Sequence, residues 1–180
     1  RRDEDGTRVG WDMNTRTAWS SARGNGVIIA ITDSGIECGH PDLVGNLRPE
    51  FHHNFFTHED SCEPENYSTA YVHGTCVAGL AGAVGYNGVG ICGMAPNVGL
   101  AGWIILDPNG LKSLTDLELS EVFLRENQNI RIQNQSWGKK NRMEDHPLPR
   151  EAMLTASQPS EESPGVLFVK SAGNSRHGTS

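Results

Sequence analysis

Val27 to Thr32 reads VIIAIT, an apolar run rich in β-branched residues, with Gly24 and Gly26 before it and Gly35 after it. Such a run is long enough for a strand and too short for a helix. It is apolar on both faces, so it predicts a strand covered from both sides. VGLAGWIIL at 98–106 reads the same way, IRIQNQSW at 130–137 alternates as a strand does, and GVLFVKSAG at 165–173 is the last such segment. Helical stretches lie between them. HGTCVAGLAGAVG, 73–85, carries small and apolar residues all round and predicts a buried helix. SLTDLELSEVFLRE, 113–126, repeats apolar residues at Leu114, Leu117, Val122 and Leu124, with Ser113 or Thr115 available as the cap. PLPREAMLTAS, 147–157, predicts a helix entered through proline. Strands and helices in alternation predict an α/β fold, a mostly parallel sheet with helices on both faces.

In such sheets, sites form in the crevice beyond the carboxyl ends of the strands. That rule picks out Asp33, the stretch Ser136, Trp137, Gly138, and Asn174. With 180 residues the chain can bury the core of one domain. Its formal charge of −7, from 22 acids and 15 bases, argues against nucleic acid as a partner. No apolar run is long enough to span a membrane. Residues 1–10 read as a charged N-terminal extension rather than a signal peptide, as expected of a cytosolic or already processed chain.

The cysteines are Cys38, Cys62, Cys76 and Cys92, and none forms a CxxC pair, so neither a zinc ribbon nor a thioredoxin motif is present. Their even number allows up to two disulfides and requires none. Cys76 and Cys92 lie in apolar or glycine-rich surroundings and read as small buried hydrophobes. Cys38, His40, His52, His53, His58 and Cys62 make a loose group whose spacing matches no zinc-ligand pattern. GVGICG, 88–93, has the letters of a dinucleotide fingerprint but follows a helix where a strand is needed. Asn66-Tyr67-Ser68 is a glycosylation sequon on a predicted loop.

Taken singly, Asp33 suits a turn, His73 suits a helix start and Asn174 suits a Gly-Asn turn. Taken in order, DSG, HGTCVAG, NQSWG and SAGN resemble the subtilisin-like serine proteases, and GIECGHPDLVGN, NGVGICGMAP and LAGWIILD resemble their kexin and proprotein-convertase branch. The resemblance runs from about Trp11 to Asn174. It implies a subtilisin-like sheet and hydrolysis of internal peptide bonds by acyl transfer. Asp33 would orient the imidazole, His73 would be the general base, and the Asn174 amide would donate to the oxyanion. Ser136, Trp137 and Gly138 would pair with an extended polypeptide substrate and wall its specificity pocket. A structural calcium ion is also implied, held by the side chains of Asp42 and Asn87 and by carbonyls near Val84, Val89 and Ile91. The compartment implied is secreted, periplasmic or secretory.

Three departures set further expectations. Convertases that cut after paired basic residues carry acids where this chain has Ser34 and Ala70, and their acids after SWG are replaced by Lys139, Lys140, Asn141 and Arg142. A preference for Lys-Arg sites is therefore not expected. The family places its nucleophile in a G-T-S motif several strands beyond the oxyanion asparagine. Gly178-Thr179-Ser180 lies six residues past Asn174, so Ser180 is not expected to be that nucleophile. Residues 1–180 are thus expected to be the N-terminal part of a subtilase catalytic domain, with 175–180 as a terminal tail. The serine would then come from elsewhere, for instance a second fragment of a two-chain protease. The alternative is an inactive binding or decoy module.

Overall fold

The computed structural model describes Met13, residues 15–138 and residues 146–174. Its strands are β1 (Ile28–Asp33), β2 (His53–Asn54), β3 (Gly99–Ile104), β4 (Ile132–Gln135) and β5 (Leu167–Lys170). They form one sheet in the order β2-β3-β1-β4-β5, and every pairing is parallel. Its α-helices are α1 (His73–Gly82), α2 (Asp116–Leu124) and α3 (Pro147–Ser157).

Parallel neighbours require crossovers, and the helices supply them. Successive side chains of a strand point to opposite faces, so β1 feeds two cores. Ile29 and Ile31 pack with Leu43, Val98, Leu100 and α1's Ala78. Ala30 points the other way, into a cluster with Trp103, Leu119, Val122, Phe123 and α3's Ala152. The expected fold class therefore stands, with α1 on one face and α2 and α3 on the other.

The details depart from expectation in four places. α1 is not buried all round: Gly74, Thr75, Ala78 and Gly82 face inward, whereas Leu80 is 69% exposed. Small residues let the helix approach the sheet on one side, and among the described residues no further layer of helix or strand covers the other. Cys76 and Cys92, read as buried hydrophobes, are both exposed free thiols. β4 does alternate, but its inward positions are Gln133 and Gln135, each fully buried. Gln133 is accommodated because its amide donates to the Val122 and Phe123 carbonyls at the open end of α2. β2 follows no sequence signal. His53 and Asn54 are strand only because Trp103 and Ile104 lie alongside.

α2 is shorter than the stretch 113–126, and Thr115 rather than Ser113 caps it. The Thr115 hydroxyl accepts from Glu118 N, while the Glu118 carboxylate accepts from Thr115 N, a reciprocal capping box. Thr115→Ala should lower the unfolding free energy by about 1 kcal/mol. A urea titration with an unchanged midpoint would show that the box contributes nothing.

Candidate active site

Asp33 is the last residue of β1 and is fully buried. His73 is the first residue of α1. Its Nδ1 lies 2.8 Å from Asp33 Oδ1 and 2.9 Å from Oδ2. Strand end and helix start meet because Gly74 has no side chain. A Cβ there would lie 2.2 Å from the Gly35 carbonyl oxygen and 3.0 Å from Asp33 Cβ. Ser34 closes the junction. Its N–H donates to Asp33 Oδ1 at 2.7 Å, its hydroxyl donates to the Tyr71 carbonyl at 2.9 Å, and the same hydroxyl accepts from Gly74 N at 3.3 Å. From sequence Ser34 counts only as a missing acid. Its role as a strut is visible only once residues forty positions away stand beside it.

The side chains in this pair are unequal in access. The His73 side chain is 52% exposed and that of Asp33 is not exposed at all. With Nδ1 engaged by the carboxylate, Nε2 is the nitrogen left to exchange a proton with a bound molecule. The buried carboxylate fixes the tautomer and supports the imidazolium that proton uptake would create.

The other residues picked out by the strand-end rule lie on the same edge. Ser136, Trp137 and Gly138 follow β4 directly. The Trp137 indole donates to Thr32 Oγ1 on β1 at 3.1 Å, and its carbonyl accepts from Lys170 Nζ at 3.1 Å and Ser171 Oγ at 3.3 Å. Asn174 is exposed and follows the end of β5. β4 stands between β1 and β5, so β5 lies about 10 Å from β1, the strand carrying Asp33. Ser180 and the basic residues Lys139, Lys140 and Arg142 lie outside the described residues.

Beside Ser34 opens a cavity of about 300 Å³ whose walls include Glu59, Glu63, Glu65, Tyr71, Asp107 and Lys112. The Tyr71 hydroxyl donates to Glu65 and Asp107. Burial and those two bonds push the phenol up to about 12. Three hydrogen bonds from the backbone of 109–112, together with Tyr71, hold Asp107 below the usual carboxylate range against the cost of burial. Ser34, where an acid is absent, thus shares a cavity with acids from segments distant in sequence. No local pattern signals that convergence.

The residues expected to hold calcium also converge. Asp42 is 2% exposed. Its Oδ1 accepts from the Asn87 side-chain amide and its Oδ2 from Ile91 N, both at 2.8 Å. Its own carbonyl accepts from Val84 N, while Asn87 Oδ1 accepts from Val89 N. The loop is therefore closed on Asp42 by N–H donors. A hard cation there would need the Asn87 amide turned so that its oxygen meets the carboxylate.

The loose histidine–cysteine group separates. His53 pairs with Asp60, and His40 accepts from Asp42 N. Only His52 stays beside Cys38 and Cys62, and these two cysteines are joined by a disulfide.

A profile described as the Subtilase family matches residues 24–180. Mouse proprotein convertase subtilisin/kexin type 4 is 32% identical over 169 residues, which cover 91% of this chain and 25% of that protein. The extracellular serine protease of Aeromonas sobria is 32% identical over 158 residues, covering 84% of this chain and 24% of that one. Among solved structures, the Aeromonas sobria serine protease in complex with its chaperone superposes with a TM-score of 0.70 at 30% identity, over 84% of this chain and 25% of that one. The chain spans a quarter or less of the length of the curated relatives it matches.

Proposed function

The chain belongs to the subtilase family, and from that premise we propose that it supplies the acid and base of a serine endopeptidase acting on polypeptide substrates. One observation carries this reading. A fully buried carboxylate at a strand end holds Nδ1 of a half-exposed histidine at a helix start. In the reaction, His73 Nε2 takes the proton of the attacking serine hydroxyl and later returns it to the leaving amine. Asp33 holds the ring and offsets its transient charge. Asn174 donates to the oxyanion. The strand-end stretch Ser136 to Gly138 receives the substrate backbone by strand addition. The compartment proposed is an exported one. The Aeromonas relative is described as extracellular, and the Cys38–Cys62 bond suits an oxidising environment. Among the described residues no helix is long and apolar enough to cross a membrane.

The test is labelling of the active protein containing this chain with a fluorophosphonate, followed by mass mapping. Covalent labelling should require His73, and the adduct should sit on a serine other than Ser180. Labelling that survives His73→Ala, or an adduct on Ser180, would overturn the assignment.

We propose further that Asp42 and Asn87 bind calcium. The two side chains lie side by side, so turning the Asn87 amide would set its oxygen next to a carboxylate already withdrawn from water. Calcium at 100 times its Kd should raise stability by about 2.7 kcal/mol. A melting temperature unmoved by millimolar calcium, in both parent and Asp42→Asn, would sink this proposal.

A further inference from the structure

Cys38, Cys62 and His52 form a cluster that the proposed catalysis does not use. A ring nitrogen of His52 and both sulfurs lie within 4.8 Å of one another. Two sulfurs and an imidazole suggest a soft metal, but the hydrogen bonding opposes it. His52 Nδ1 accepts from the Gly102 N–H at 3.1 Å. A nitrogen that accepts a backbone N–H carries no proton, so the ring's proton sits on Nε2, and burial lowers its affinity for a second one. Neither nitrogen has a free lone pair to offer a cation.

We infer that this cluster is a thiol–disulfide exchange site, taking small thiols of the glutathione class, that controls the cavity beside Ser34. Three observations carry the inference. First, access is one-sided: Cys62 is fully buried and Cys38 is half-buried. An incoming thiolate therefore reaches the Cys38 sulfur, the S–S bond breaks, and Cys62 leaves with the electron pair. Second, both products are received. The His52 Nε2–H has no acceptor while the bond is intact, and a thiolate at Cys62 would be an acceptor beside the ring. Once a second thiol has released the mixed disulfide, the Cys38 thiol can donate to the Ile36 carbonyl, 3.5 Å away. Each cycle converts two external thiols to one external disulfide and leaves two protein thiols.

Third, the bond joins two segments of the site. Cys38 follows the strand that carries Asp33, while Cys62 sits among Glu59, Ser61, Glu63 and Glu65 of the cavity wall. Beyond the sulfurs, the segments are joined by Ile36 N donating to the Cys62 carbonyl at 2.7 Å and Cys38 N donating to Glu63 at 2.8 Å. Close packing adds to this, because a Cβ on Gly35 would lie 3.0 Å from the Cys62 carbonyl oxygen and from Pro64 N. Opening the covalent link leaves these weaker contacts to hold the wall.

The experiment uses Cys76→Ser/Cys92→Ser protein, which removes the two exposed thiols. The folded protein is equilibrated in glutathione buffers of graded ratio, acid-quenched, alkylated and mapped by mass. The expected result is a glutathione adduct on Cys38 with alkylated Cys62, fully reversible on oxidation. Amide exchange at Ile36 and Cys38 should speed up about tenfold on reduction, while β1 and β3 stay protected. Glutathione on Cys62, reduction only on unfolding, or unchanged exchange would overturn the inference. So would stoichiometric zinc binding by the reduced protein. His52→Asn should slow reduction about tenfold. If that variant does not fold, the parent's exchange rates and adduct site still decide. The control of substrate binding rests on the peptidase reading, and it predicts a several-fold rise in KM on reduction with kcat unchanged. Absence of any peptidase activity would defeat that reading and leave the chemical mapping to decide the exchange site. A reduced enzyme with unaltered KM would overturn the control itself.

Discussion

Asp33→Asn should lower kcat about 10⁴-fold in the active protein that contains this chain, with the fold intact. The substitution keeps the volume of a fully buried side chain. It replaces a carboxylate that meets His73 Nδ1 with both oxygens by an amide that can turn an N–H toward the ring. The imidazole then holds its proton on Nε2, where the serine's proton must go. Nor is the imidazolium formed in the reaction offset any longer by a buried negative charge. Single-turnover hydrolysis of a chromogenic peptide measures the effect, and circular dichroism checks the fold. A loss under tenfold would mean that the Asp33–His73 pair is structural and that the base lies elsewhere.

Gly74→Ala should be the most damaging change of a single methyl group at this junction. The added carbon would lie 2.2 Å from a backbone oxygen, that of Gly35, which cannot swing aside as a side chain can. The first turn of α1 must move away from β1, and Ser34, bonded to both, must lose a partner. Overpacking of this kind costs about 3 kcal/mol at the upper end. Because His73 is the adjacent residue, the same shift reaches the Asp33–His73 pair. A displacement of about 1 Å there reduces turnover roughly 10²-fold. Denaturant unfolding and kcat should therefore fall together. Normal stability and turnover would show that α1 adjusts without disturbing Asp33.

The alternation of β-branched runs with helical stretches was enough to place β1, β3 and α3 within a residue or two, and with them the parallel sheet. Once sheet and direction are known, the strand-end rule leads to Asp33, Ser136 to Gly138 and Asn174 without further information. Those features are local: a run of VIIAIT excludes water from both faces wherever it is placed, and an HGT start places a histidine at a helix mouth.

What stayed hidden depends on segments that meet only after folding. Gln133 of β4 looks like a solvent-facing residue until α2 ends above it with open carbonyls. The outer face of α1 looks buried because its composition is apolar, yet Leu80 there is largely exposed. Four cysteines permit several pairings. Only the approach of the loop after β1 to the segment before Glu63 selects Cys38 with Cys62. Ser34 appears as a lost acid, while the acids beside it arrive from positions 59 to 65 and 107. Sequence by itself determined the architecture and the edge of the sheet where chemistry can occur, because hydrophobic periodicity acts residue by residue. Tertiary structure alone decided which polar groups meet, because a hydrogen bond or disulfide needs its two partners within a few ångströms, and that distance is set by the packing of the whole domain.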